Sequence, residues 1–180
     1  MELCQYPCQN RTRYFTIEVI QIPIVYNRYG DYDPDGLLYV LEMDSQRIQE
    51  EAVGRFHQMP PQPCEEVQPL VLRVNLGDTV KVRFRNPLNR RLSIHVQGLA
   101  YDVASSDGTS TGFNQDSTTS REIVYTWYAN AEGVFLFHDM ADARSSEEAT
   151  NIHGLFGAVI VEPPGAKWFH PQTGEEIESG

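Results

Sequence analysis

The fold of this 180-residue chain is decided by residues 70–85, which read LVLRVNLGDTVKVRFR. Apolar and polar residues alternate on both sides of the turn at residues 76–78, and a period of two residues is typical of strands with one buried face. The residues that this alternation directs to the core are Leu70, Leu72, Val74, Val80, Val82 and Phe84. The stretch therefore predicts two strands that pair as a hairpin.

Similar short runs of β-branched and aromatic residues occur on both sides of this stretch, separated by polar loops. They lie at residues 14–26, 38–43, 92–96, 123–128, 134–138 and 155–161. Seven or eight such strands predict an all-β fold, an antiparallel Greek-key β-sandwich or barrel. Helices are in the minority: one is predicted over residues 45–56, where Ile48, Ala52 and Phe56 form a single apolar stripe.

The charge balance excludes one large class of partners. The chain carries 14 Lys and Arg against 25 Asp and Glu, a formal net charge of −11 at pH 7. This is the wrong sign for a protein that neutralises phosphates, so no nucleic-acid partner is expected. No apolar run approaches the roughly 20 residues that span a bilayer, so no membrane span is expected either. The sequence does not indicate a compartment.

The three cysteines, Cys4, Cys8 and Cys64, are too few for a disulfide scaffold. An odd count allows at most one intramolecular disulfide, and the Cys4/Cys8 spacing has no partner pair that would complete a zinc site. We expect ordinary thiols or one disulfide near the N-terminus.

An acidic loop matches the calcium-binding pattern of an EF-hand. Asp31, Asp33, Asp35, Gly36 and Glu42 satisfy its spacing. The residues before Asp31 indicate strand rather than the helix that should enter such a loop, and Asp and Gly are common in turns. A solvated turn is the favoured interpretation, and calcium stays open.

Two histidines lie on different predicted strands, and each has a second polar or sulfur side chain two residues later. The two-residue period places His95 and Gln97 on one strand face, and His138 and Met140 on another. Imidazole suits copper, and a thioether favours Cu(I). The alternative is that each histidine is a buried residue hydrogen-bonded to the backbone.

Four blocks in this order resemble the first cupredoxin domain of a multicopper oxidase, of the ceruloplasmin-like and large bacterial types. The blocks are residues 76–88, 94–98, 137–140 and 154–161. The resemblance covers residues 66–164, with residues 14–42 as the opening strands. It implies a cupredoxin-like Greek-key β-sandwich with one or two short helices. Residues 1–165 are then a single cupredoxin-like domain, and residues 166–180 a C-terminal tail or the start of a linker.

The family carries two His-x-His pairs at these places, which bind the coppers of an oxygen-reducing centre. By this resemblance His95 and His138 match the first histidine of each pair, while Gln97 and Met140 replace the second. A copper site on this chain would then use His95, His138 and Met140, with His153 as a further candidate. This set is incomplete for a trinuclear centre. A type 1 site is excluded because every cysteine precedes residue 65 and Asp139 stands where a Cys would be expected.

The resemblance therefore implies a cupredoxin domain of a multicopper oxidase-like protein, one part of a longer enzyme that couples oxidation to dioxygen reduction. No catalytic residue is assigned, and the domain is expected to be inactive alone. Copper is the expected cofactor, and other cupredoxin domains or subunits are the expected partners. Two alternatives stay open: a copper-free structural or interaction module, and a mononuclear copper-binding protein.

Overall fold

The computed structural model of the protein describes residues 11–109, 122–141 and 149–177. The two helices among these residues are α1 (Ser45–Phe56) and α2 (Val103–Ser106), and a 3-10 turn at Glu42–Asp44 precedes α1. The strands are β1 (Thr12–Gln21), β2 (Ile24–Val25), β3 (Tyr32–Asp33), β4 (Leu37–Leu41), β5 (Leu70–Asn75), β6 (Thr79–Arg85), β7 (His95–Val96), β8 (Ala100–Tyr101), β9 (Glu122–Tyr128), β10 (Gly133–His138), β11 (Phe156–Glu162), β12 (Trp168–Phe169) and β13 (Glu176–Ile177).

Two sheets form a sandwich. The first sheet has the order β4-β1-β6-β9-β8 and the second the order β5-β11-β10-β7. Between them lies the main core, and its largest fully buried side chains include Trp127, Tyr39, Tyr125, Phe84 and Phe137. Burying each such side chain stabilises the fold by about 1.5–3 kcal/mol, so this core is the main source of stability. The predicted all-β sandwich with few short helices is confirmed.

The predicted hairpin over residues 70–85 is wrong. Strand β5 pairs with β11 in the second sheet, and β6 pairs with β1 and β9 in the first. The turn at residues 76–78 carries the chain from one sheet to the other. Both strands bury the predicted faces, because the two sheets face the same core from opposite sides.

Hydrogen bonds to both sheets hold this crossing in place. The Leu76 N–H donates to the carbonyl of Glu162 (2.8 Å), and the Gly77 N–H donates to that of Ala129 (2.8 Å). The pairings β1–β6 and β5–β11 are parallel, unlike the purely antiparallel sandwich expected from the strand pattern. Alternation reports which face is buried and not which strand is the neighbour, so it could not distinguish these arrangements.

Helix α1 spans the predicted residues and covers the outer surface of the first sheet. Its Ile48 and Ala52 belong to a second, smaller buried cluster, which it forms with Ile20, Ile22, Leu38 and Val40. The sandwich thus has helix on one side of the first sheet and the main core on the other. No helix in the described residues is long and apolar enough to cross a membrane.

The end of the described chain forms a small hairpin, β12–β13, anchored on the second sheet. The indole Nε1 of Trp168 donates to the buried carboxylate of Glu162 (2.8 Å). The guanidinium of Arg73 forms an ion pair with the same carboxylate (3.0 Å) and lies over the Trp168 ring. The expected tail at residues 166–180 therefore begins with an ordered segment that contacts the domain.

Candidate metal centre

The structure brings His95 and His138 together across neighbouring strands. His95 on β7 is paired in register with His138 at the end of β10. Their ring centroids are 5.8 Å apart and the rings are at 70° to each other. Both residues lie on the outer face of the second sheet, since their neighbours Val96 and Phe137 point into the main core. Two imidazoles far apart in sequence therefore share one sheet edge.

Backbone carbonyls select the same tautomer for both neutral rings. The Nδ1 atom of His95 lies 2.7 Å from the carbonyl oxygen of Asp107, and that of His138 lies 3.0 Å from the carbonyl oxygen of Asp139. A carbonyl only accepts hydrogen bonds, so in the neutral rings Nδ1 carries the proton and Nε2 carries the lone pair. This is the arrangement typical of metal-binding histidines, whose second nitrogen donates to a carbonyl.

The turn at residues 107–108, which follows α2, holds His95 in its orientation together with Tyr101 of β8. The hydroxyl of Tyr101 donates to the Asp107 carboxylate (2.8 Å), and the Tyr101 ring meets the His95 ring edge to face at 5.9 Å. Burial, followed by the hydrogen bond to Asp107, raises the pKa of Tyr101 to about 12, so the phenol is a donor at neutral pH. The turn itself depends on Gly108, whose positive φ of 72° favours glycine.

Asp139 organises the other side of the centre. Its buried carboxylate accepts hydrogen bonds from the Ser93 N–H (2.8 Å), the Ser93 hydroxyl (3.1 Å), the Thr150 hydroxyl (2.7 Å) and the Ala141 N–H (3.0 Å). Ser93 lies just before β7, and Asp139 directly follows β10. The carboxylate therefore fixes the two strand ends that carry the histidines.

Tyr39 adds a further hydrogen bond to this network. Its hydroxyl donates to the carbonyl of Ser93 (2.6 Å). Burial, and then the nearby Asp139 carboxylate, raises the pKa of Tyr39, which keeps the phenol protonated as a donor. Both polar backbone groups of Ser93 are thereby satisfied inside the protein.

The side chain of Gln97 is hydrogen-bonded to the second ring nitrogen of His138. Its side-chain Nε2 lies 2.8 Å from Nε2 of His138, on the same sheet face as the two rings. Sequence reasoning placed Gln97 on this face as the residue that replaces a histidine. The contact with His138 was not predicted, because it depends on the register between β7 and β10.

The other two candidate ligands lie in different surroundings. Strand β10 ends at His138, so the two-residue rule does not extend to Met140, whose N–H donates to the Ser93 hydroxyl (3.0 Å). His153 contacts the acidic loop instead: its Nδ1 lies 2.7 Å from the carboxylate of Asp33. Within residues 11–109, 122–141 and 149–177, no group of three or more His, Cys, Asp or Glu side chains could hold a metal ion.

The acidic loop does not have the surroundings of an EF-hand. Asp33 lies in β3, where its carboxylate accepts from the Asp35 N–H (2.9 Å) in addition to its contact with His153. Asp31 accepts from the Asn27 amide (2.8 Å), and Glu42 forms an ion pair with Arg85. The interpretation as a turn fits these contacts, since the loop joins short strands and not helices.

The cysteines are remote from this centre or lie outside the described residues. Cys64 is a half-buried free thiol that packs on the smaller cluster beneath α1, on the outer side of the first sheet. Cys4 and Cys8 lie outside the described residues. Cys64 is thus on the opposite side of the sandwich from His95 and His138.

An apolar surface extends from the histidines along the outer face of the second sheet. Val134 is 65% exposed, Leu136 55% and Phe156 42%. Val71 is also exposed, and it lies in the same row as Leu136 because both strands pair with β11 at Ala158. Contiguous exposed apolar side chains on a sheet face mark an interaction surface. We call these four residues the outer apolar face.

Comparison with known proteins agrees with this geometry. The multicopper oxidase family profile matches residues 66–166. A protein of Kuenenia stuttgartiensis, described as a probable nitrite reductase-hydroxylamine oxidoreductase fusion protein, is 35% identical over 98 residues, which are 53% of this chain and 11% of that protein. Copper resistance protein A of Escherichia coli is 30% identical over 96 residues, 51% of this chain and 14% of that protein.

Solved structures share the fold at low sequence identity. The blue copper oxidase of Nitrosomonas europaea aligns with a TM-score of 0.59 at 19% identity, covering 87% of this chain and 40% of that one. This chain thus spans a small part of the two sequence relatives and less than half of that structure. The profile match covers more than half of the chain and includes both strands that carry the paired histidines. The chain therefore belongs to the multicopper oxidase family and has its cupredoxin-like β-sandwich.

Proposed function

We propose that this chain is a copper-binding cupredoxin module of a larger copper oxidoreductase, and that it contributes His95 and His138 to the metal site. The observation that carries the proposal is the pair of facing imidazoles whose Nδ1 atoms are both engaged by backbone carbonyls. The residues fit copper, since neutral imidazole nitrogens are good ligands for it. Bound copper would supply one-electron chemistry, while this chain holds and orients the ligands.

The site is proposed to be incomplete on this chain alone. Two imidazoles are fewer ligands than a type 1 or trinuclear copper site uses, and no third His, Cys, Asp or Glu joins them among the described residues. Met140 stays a candidate because it lies two residues after His138 and a thioether suits Cu(I). His153 is the weaker candidate, since its ring is engaged by Asp33. We infer that the missing ligands come from a neighbouring domain or subunit.

The outer apolar face supports such a partner. It begins beside the imidazoles, because Phe156 is paired in register with His138. A patch of this kind is costly in water and gains stability when another apolar surface covers it. We propose that a second cupredoxin domain or subunit packs there and brings the remaining copper ligands.

Copper binding by the two histidines is tested by titrating the metal-free protein with Cu(II) and recording electron paramagnetic resonance. We expect a mononuclear signal in the wild type, and at least roughly 100-fold weaker binding in His95→Ala and His138→Ala, because a lost ligand costs more than a lost outer-shell partner. The exposed His57 is far along the chain from these strands, so His57→Ala is the matched control and should leave binding unchanged. Equal binding by all four proteins would contradict the assignment.

The isolated chain is expected to show neither intense blue absorption nor oxidase turnover. Blue colour needs a thiolate on copper, whereas Asp139 follows His138 and Cys64 lies beneath α1. Turnover with phenols or reduced metal ions at stoichiometric copper, measured as dioxygen consumption, would show that the chain is a complete enzyme.

A copper-free structural or interaction module is the second candidate. Gln97 favours it, because its amide satisfies the nitrogen of His138 that would otherwise bind metal. This candidate predicts that no copper is bound after reconstitution. It also predicts that a partner domain still packs on the outer apolar face. A third possibility, a mononuclear Cu(I) carrier using His95, His138 and Met140, predicts tighter binding of Cu(I) than of Cu(II).

A further inference from the structure

The two imidazoles of the centre differ in the hydrogen bonding of their metal-binding nitrogens. No described residue donates a hydrogen bond to Nε2 of His95, whose Nδ1 is held by the carbonyl of Asp107. In contrast, Nε2 of His138 lies 2.8 Å from the amide nitrogen of Gln97. Among the described residues, Nε2 of His138 thus has a hydrogen-bond partner and Nε2 of His95 has none.

The direction of this contact follows from the other nitrogen of the ring. Nδ1 of His138 donates to the carbonyl of Asp139 (3.0 Å), so the lone pair of the neutral ring is on Nε2. The amide N–H of Gln97 therefore donates to that lone pair. A metal ion at His138 needs the same lone pair, so amide and metal exclude each other.

We propose that Gln97 is a reversible cap on His138 that sets the copper affinity of this site. This inference rests on the proposed function, because it concerns the affinity of the same centre. Only the side chain has to move for the cap to open. The backbone N–H of Gln97 is fixed by the carbonyl of Leu136 (2.8 Å), whereas its side chain is exposed and free to adopt other rotamers.

A glutamine is well suited to this role. A neutral amide is a weak copper ligand but a good hydrogen-bond donor, so it holds the ring without replacing it as a ligand. The capped ring stays in its binding orientation in the absence of metal. The cost of opening is one hydrogen bond of ordinary strength, which changes an equilibrium constant by about three- to tenfold.

Removing the cap should tighten copper binding. In competition titrations of Cu(I) against a chromophoric chelator, Gln97→Ala is expected to bind about three- to tenfold more tightly than the wild type. Gln97→His should bind more tightly still, because it exchanges the cap for a third imidazole. Gln62 is the control: it is a half-buried glutamine whose amide donates to the carbonyl of Pro60 (2.9 Å), and Gln62→Ala should leave the affinity unchanged.

The cap itself is observable without enzyme activity. In ¹⁵N-labelled metal-free protein, a scalar coupling through the hydrogen bond should join Nε2 of Gln97 to Nε2 of His138. Cu(I) is diamagnetic, and its addition should abolish this coupling while the backbone amide of Gln97 keeps its chemical shift. A coupling that persists in the copper-bound protein overturns the proposal.

The affinity measurements distinguish the two levels of inference. If the wild type binds Cu(I) and Gln97→Ala binds it equally or more weakly, the cap is overturned and the copper site stands. If neither the wild type nor Gln97→His binds Cu(I), the proposed function is wrong, and the proposal of a cap is wrong as well.

Discussion

Asp139→Ala is expected to lower the free energy of unfolding by about 3–5 kcal/mol, because several buried donors lose their acceptor at the same time. The carboxylate of Asp139 is only 3% exposed and accepts four hydrogen bonds. Alanine would leave the buried donors of Ser93 and Thr150 without a partner. Each unsatisfied buried donor costs about 1–3 kcal/mol, although these costs do not add fully. Urea unfolding followed by tryptophan fluorescence measures the loss.

Two further variants distinguish the effect of losing the hydrogen-bond network from the effect of losing one negative charge. Asp139→Asn keeps one acceptor oxygen and should lose about half as much stability, in the range of about 1–3 kcal/mol. The carboxylate of Asp35 is exposed and accepts one long hydrogen bond from Gln21 (3.4 Å), so Asp35→Ala should cost less than about 0.5 kcal/mol. Similar losses for Asp139→Ala and Asp35→Ala would show that the buried network does not stabilise the strand ends.

This network also explains why Asp139 stands between His138 and Met140. A thiolate at that position would be a copper ligand in a type 1 site, but it could not accept four short hydrogen bonds. In this chain the position joins the end of β10 to Ser93, two residues before β7. The side chain therefore supports the paired histidines, and it acts through the backbone rather than on a metal.

The sequence predicts best what depends on local periodicity. The apolar stripe of Ile48, Ala52 and Phe56 predicts α1 with its correct bounds. The alternation along β5 and β6 predicts the buried faces, because a side chain's face follows from its position in the strand. The pairing of those strands was predicted wrongly, because a short turn can join neighbours in one sheet or cross between two.

Only part of the arrangement at the candidate site follows from local periodicity, for the same reason. His95 and His138 were selected from two strands, and the register between β7 and β10 brings them face to face. Nothing in the sequence places His153 against Asp33, since that contact depends on how distant loops meet. Asp107 was missed as a support of His95, although the Asp-Gly dipeptide at residues 107–108 is a recognised signal for a turn.

Gly108→Ala is expected to lower the free energy of unfolding by about 3–5 kcal/mol and to release His95 from its hydrogen bond, because overpacking and a left-handed residue each add a cost. A Cβ at residue 108 would lie 2.1 Å from the carbonyl oxygen of Ile94 and 3.1 Å from the backbone nitrogen of His95. Both atoms belong to the backbone, which cannot move aside as a flexible side chain can. The turn would have to shift, and the carbonyl of Asp107 would shift with it.

Gly165 provides the matched control for this variant. Its φ of 76° is close to the 72° of Gly108, but no described residue other than its two chain neighbours has an atom within 4 Å of the position that a Cβ would take. Gly165→Ala should therefore show only the cost of the left-handed conformation, about 1–2 kcal/mol. Urea unfolding compares the two losses, and ¹⁵N chemical shifts of the His95 ring report whether Nδ1 keeps its proton. Equal losses of unfolding free energy in the two variants, with unchanged ¹⁵N shifts of the His95 ring, would contradict this prediction. They would mean that the tight packing of Gly108 against the backbone of Ile94 and His95 does not hold the His95 ring in place.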